Sequence, residues 1–80
     1  MRAENLQKIL RHQPFKPFRI YMSDGSSYDI KHPEVALLTR HTLEVGIDEK
    51  DGIPDHTIRC DIIHITRVED LVRRVKSAAS

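Results

Sequence analysis

Hydrophobic positions along this chain change their period twice, from helical to alternating and back to helical. Leu6, Ile9 and Leu10 stand at i, i+3 and i+4 among Glu4, Gln7, Lys8 and Arg11. That spacing predicts one apolar stripe on a short helix within residues 1–13, its periodic part running from Asn5 to Gln13. Pro14 ends it, because the residue before a proline is pushed out of helical angles. A helix of about three turns is marginal on its own, so it must pack on something. Pro14-Phe15-Lys16-Pro17-Phe18 then reads as a stiff extended connector. Either its phenylalanines anchor it to the core at a sheet edge, or it is a proline-rich ligand for a partner's aromatic groove.

From Phe18 the period is two. Phe18, Ile20 and Met22 alternate with Arg19 and Tyr21, and Tyr28 and Ile30 continue the apolar face beyond Asp24-Gly25. Asp-Gly between alternating runs predicts a β-hairpin with a primed turn, which needs positive φ at both central residues. Lys31-His32-Pro33-Glu34 breaks the second strand. Val35–Thr39 is a short apolar strand, Arg40-His41 a tight turn, and Thr42–Ile47 a strand with Leu43, Val45 and Ile47 on one face. Asp48–Asp55, with Gly52 and Pro54, is an acidic loop without periodicity. In Thr57–Thr66, Ile58, Cys60 and Ile62 share one parity while Ile63 and Ile65 take the other. One strand cannot bury both sets, so a bulge or a short 3₁₀ turn is expected near Asp61-Ile62-Ile63. Val68, Leu71, Val72 and Val75 return to helical spacing, which predicts a C-terminal helix over 67–78. Thr66-Arg67-Val68-Glu69 fits a capping box that starts it at Thr66; a strand through Val68 with a helix from Glu69 fits as well.

The expected fold is therefore α+β in a single domain spanning residues 1–80: N-terminal helix, five to six short antiparallel strands over 18–66, and a short C-terminal helix. Tight connections leave no room for the crossover helices of a parallel sheet. Such strands curl into a small SH3-like or Sm-like barrel, or form a strongly bent open sheet with both helices on one face.

Composition narrows the function classes. The chain is 39% hydrophobic and 31% charged, which is ordinary for a folded protein and too apolar for disorder. Thirteen Lys and Arg oppose twelve Asp and Glu. A chain that lives on phosphate backbones is usually far more basic, although a local patch can hide in a neutral total. Cys60 is the one cysteine, so no internal disulfide forms, and a reducing cytoplasm is the expected setting. Residues 1–20 lack the layout of a signal peptide, and no apolar run approaches about 18 residues, so no membrane span is expected.

Pro17-Phe18-Arg19-Ile20, Ser23-Asp24-Gly25, His32-Pro33-Glu34 and His64-Ile65-Thr66-Arg67-Val68-Glu69 together resemble a group of small bacterial proteins of no assigned function, over about residues 14–70. The resemblance implies no activity, cofactor or site. The helix followed by strands, with the Ile58-Arg59-Cys60 run, also resembles Sm-like RNA-binding barrels. Where that family has its Asp-x-φ-x-Asn signature, this chain has Tyr28-Asp29-Ile30-Lys31-His32.

No cofactor motif stands out. His32 and Glu34 flank Pro33, and Cys60 and His64 lie four apart, but neither spacing supplies the converging ligands that zinc needs. Asp48-Glu49-Lys50-Asp51-Gly52 fails as a calcium loop at Lys50 and lacks the closing Glu. Cys60 shares the inward parity of Ile58, where a free thiol is an inert small hydrophobe. His64 reads as half-buried and bonded to backbone, and the polar groups of His32-Pro33-Glu34 as caps for neighbouring backbone. The basic residues Arg67, Arg73, Arg74 and Lys76 oppose the acidic loop at 48–55. They suit a solvated helix face, an anion or RNA patch, or electrostatic pairing between copies. The sequence thus points to a non-enzymatic protein-interaction or scaffolding module, through an unknown protein partner or self-association. RNA binding by an Sm-like ring and a small metal- or thiol-dependent enzyme are the alternatives. The candidate interaction residues are Arg19, Tyr21, His32 and Glu34; no cofactor and no metal ligand is expected.

Overall fold

Alternation of buried and open side chains builds six strands around one shared interior in the structure, a computed structural model that describes residues 1–71. Helix α1 spans Ala3–Arg11. Strands β1 (Phe18–Met22) and β2 (Ser27–Ile30) form the first hairpin. Strands β3 (Ala36–Leu38), β4 (Thr42–Ile47) and β5 (His56–Asp61) follow as a meander, and β6 (Ile65–Asp70) closes the order. They make two antiparallel three-stranded sheets, β2-β1-β6 and β3-β4-β5.

The chain passes between the sheets twice, each time through one 3₁₀ turn. Pro33–Val35 carries it from β2 to β3, and Ile62–His64 from β5 to β6. Each turn drives one side chain inward, Val35 and Ile62. The second turn is bonded to both sheets: Ile62 N–H donates to the His41 carbonyl, and the His64 carbonyl accepts from Ser23 N–H. It answers the parity conflict read from the sequence. Cys60, Ile62 and Ile65 are buried and Ile63 is 80% exposed, because one 3₁₀ turn rotates the face by the required residue.

The core joins Leu6 of α1 to Phe18, Ile20 and Ile30 of the first sheet and Leu43, Val45 and Cys60 of the second. Phe15 lies against it with its ring tilted 59° to that of Phe18, so the proline connector is a core anchor. None of the buried residues is polar or charged among the described ones.

Two expectations about the architecture are corrected. The barrel does not close: the strands divide between two sheets, whose edges are β2 and β6 in one and β3 and β5 in the other. The reason is the pair of 3₁₀ crossovers, which end one ladder and start another where a barrel would carry hydrogen bonds across. The C-terminal helix is absent where it was expected to begin. Residues 67–70 belong to β6, paired with β1 from Arg67↔Tyr21 to Asp70↔Phe18; the remainder of 67–78 lies outside the described residues. The helix-like step of three from Ile65 to Val68 is a β-bulge. Met22 pairs with Ile65 and Tyr21 with Arg67, leaving Thr66 unpaired, its hydroxyl donating to the Tyr21 carbonyl at 3.1 Å.

The first hairpin is present with a different turn. Gly25 alone has positive φ, 93°, and its N–H donates to the Met22 carbonyl while Met22 N–H donates to Ser26. That is a three-residue loop with a left-handed glycine. The primed turn occurs instead at Asp51-Gly52, where φ is 54° and 82° and Lys50 and Ile53 exchange both backbone hydrogen bonds. The acidic loop is therefore a small hairpin of its own. No described helix is long and apolar enough to cross a membrane.

Candidate interaction surface

The register of the first sheet decides which polar groups meet on its outer face. β1 is the central strand, so Arg19 lies between Asp29 and Glu69, and Tyr21 between Ser27 and Arg67. Phe18 and Ile20 hold the opposite face in the core, which fixes Arg19 and Tyr21 outward.

Arg19 grips Asp29 with both arms of its fork, Nε to Oδ1 at 2.6 Å and Nη2 to Oδ2 at 3.2 Å. Both side chains are about a third exposed. Hydrogen bonding from Arg19 holds the Asp29 carboxyl below its usual range, and bonding to Asp29 first, then to Tyr21, raises the Arg19 guanidinium. Tyr21 hydroxyl donates to Glu69 Oε1 at 2.8 Å. The Arg67 guanidinium lies over the Tyr21 ring, 4.1 Å from its centroid. Five side chains from three strands are thus locked into one polar layer.

Beside this layer a groove of about 480 Å³ runs from the outer end of β2 to the end of β4, between Lys31 and Arg19 on one side and Asp48 and Glu49 on the other. His32 sits at its margin with Nε2 3.8 Å from Glu49 Oε1. Glu34 is exposed on the 3₁₀ turn whose Val35 lines the groove. The four residues singled out from the sequence therefore fall into two places. Arg19 and Tyr21 share the sheet face, and His32 and Glu34 stand at the groove margin, where His32 makes no side-chain capping bond. The expected caps are replaced by main chain, Val35 N–H donating to the His32 carbonyl.

Asp29, Arg67 and Glu69 were missed by sequence reasoning. A readable signal existed for Asp29: closing the hairpin at Ser23-Asp24-Gly25 counts Arg19 directly onto it. Arg67 and Glu69 had none: the spacing fits a helix from Thr66 as well as a strand through Val68, and neither reading pairs them with β1.

A second groove, about 360 Å³, separates the first hairpin from β5 and contains Ser23, Asp24, Cys60 and His64. His64 is exposed, not half-buried as expected, and its Nδ1 lies 3.3 Å from Ser23 Oγ rather than on backbone. Asp24 Oδ1 accepts from the Ser26 N–H and hydroxyl instead of orienting His64, and those bonds pull its carboxyl down. Cys60 is 2% exposed, and burial pushes its thiol up, which keeps it protonated. His32, His41 and His64 are scattered: among the described residues no three metal-ligating side chains converge.

Comparison with known protein families, with curated proteins and with solved structures gave no match for this chain.

Proposed function

We propose that this chain is a protein-interaction module without catalytic chemistry, recognising its partner through the outer face of the β2-β1-β6 sheet. One observation carries the reading: Tyr21 is held between Arg67 on its ring and Glu69 on its hydroxyl, beside the Arg19–Asp29 fork. Tyrosine and arginine dominate the energetics of protein interfaces, and most of their cost on binding is lost side-chain freedom. Here that freedom is already restricted before a partner arrives. A cytoplasmic setting belongs to the same proposal and suits a lone thiol, Cys60, that is buried and unpaired.

The test compares retention of proteins by immobilised wild type, Tyr21→Ala, and Arg59→Ala on the other sheet. Wild type and Arg59→Ala retain a common partner, and Tyr21→Ala weakens it by about tenfold or more. Equal retention by all three, or no retained protein at all, overturns the reading.

A further inference from the structure

We infer that β2 is an acceptor edge: an extended segment of a partner protein, apolar on one face and with Lys or Arg at both ends, lies in the seam between β2 and β5 and pairs its backbone with Ser27 and Asp29. The inference does not rest on the partner-binding reading above, which concerns the face of the sheet and not its edge. Three observations support it.

The first is the backbone. β2 is an outer strand, bonded to β1 alone. Met22 N–H donates to the Ser26 carbonyl, so the bonded pairs of this antiparallel ladder recur at Ile20↔Tyr28 and Phe18↔Ile30. The N–H and C=O groups of Ser27 and Asp29 therefore point away from β1. In the other sheet Ile62 N–H donates to the His41 carbonyl at the end of the β4–β5 ladder, and the same alternation turns the main chain of Thr57, Arg59 and Asp61 away from β4. No strand among the described residues pairs with either edge. At the remaining two edges, β3 and β6, helix α1 packs against β3 and lines a crevice with Asp70.

The second is shape. The two grooves described above meet at Tyr28, which lines both. β2 and its flanks form one wall from Ser26 to Lys31, about 17 Å of extended chain. Met22 and Ile58 lie on one side of Tyr28 and Val35 on the other. An added strand alternates its side chains, so one set meets these apolar groups while the other follows Ser27 and Asp29 outward.

The third is charge on the lining itself. Asp24 and Asp61 stand in one groove, Asp48 and Glu49 in the other. Lys31 and Arg59 are the cations opposing them, since Arg19 and Asp29 hold each other. Acid at both ends favours a segment with cations at both ends. It also disfavours a second copy, whose β2 would bring the same acidic rim.

The test titrates the full ¹⁵N-labelled chain with the blocked peptide Lys-Thr-Val-Thr-Val-Thr-Lys. Amides of Ser27, Asp29, Lys31 and Asp61 shift saturably, while those of Leu43 and Val45 stay in place. The same peptide with glutamate for both lysines binds about tenfold more weakly. Glu49→Lys/Asp61→Lys reverses that preference, a gain that a misfolded variant could not show. N-methylating one alternate set of peptide nitrogens abolishes binding and methylating the other set does not, because only one set faces β2. Absence of shifts at about 2 mM peptide, equal binding of the two peptides, or equal effects of the two methylations overturns the inference. So do shifts of the same amides that grow with protein concentration alone, which assign the edge to a second copy.

Discussion

Gly46 is required by space and not by backbone angle. A Cβ built there meets Pro54 side-chain carbons at 2.8 and 2.9 Å and the Val35 carbonyl at 3.2 Å. The small hairpin over β4 leaves no slack, so Gly46→Ala forces Pro54 outward and destabilises by about 1–3 kcal/mol, read as a lower urea midpoint with an unchanged slope. At Asp29 the effect is on pH. Its carboxyl is held low in the folded state, so its contribution is fully present above the unfolded value, near ~3.9, and is lost as pH falls through the folded value. Asp29→Asn accordingly has a lower denaturation midpoint than wild type at pH 7, and the gap closes on acidification below about pH 4. A gap that persists undiminished at low pH removes the carboxylate from the account. Both residues show what a sequence does and does not display. Arg19 and Tyr21 are visible as outward positions of an alternating strand, but the partner of each depends on register across three strands. The crowding at Gly46 depends on a loop that folds back from eight positions downstream, at Pro54.

Among elements, the crossover at Ile62–His64 was the most legible and β6 the least. Alternation fails visibly at Ile62-Ile63, and only a one-residue rotation repairs it. The consequence is a sharp asymmetry between neighbours. Ile62→Ala leaves a void in the core and costs about 2–5 kcal/mol, whereas Ile63→Ala, at 80% exposure, stays within about 0.5 kcal/mol. Comparable losses at both positions exclude the rotation. The bulge at Thr66 produced the opposite outcome, since an unpaired residue turns an alternating pattern into a step of three, which is also the step of a helix. Local spacing cannot separate the two; the deciding term is β1, which as a central strand needs a ladder on both sides. Turn chemistry had the same ambiguity. Two Asp-Gly pairs occur, and only Asp51-Gly52 adopts positive φ at both residues, because at Asp24-Gly25 the Asp24 side chain is committed to Ser26.

At the scale of the molecule, one interior is shared by two sheets and a helix. Cys60 reports on this directly. Its sulfur sits in the core with its thiol pushed up by burial, and a thiol reagent at pH 8 reaches it only through opening of the fold. Native protein labels slowly, at a rate that rises with urea in step with global unfolding, and denatured protein labels at once; prompt native labelling contradicts a sealed interior. The overall class, a helix with short antiparallel strands about a single core, was readable from alternation and tight turns. The division into two sheets was not, since it depends on β6 pairing with β1, strands far apart in sequence, instead of with its chain neighbour β5.

The twin 3₁₀ passages also determine where the chain tolerates changes of length. Extra residues at the tip Asp51-Gly52 extend a solvent-facing loop and leave every ladder in step. A single residue added within Ile62–His64 shifts all that follows by half a pleat: Ile65 and Val68 would face water, Thr66 and Arg67 the interior. Descendants of this chain can therefore lengthen freely at one hairpin tip, while the two passages keep a constant residue count.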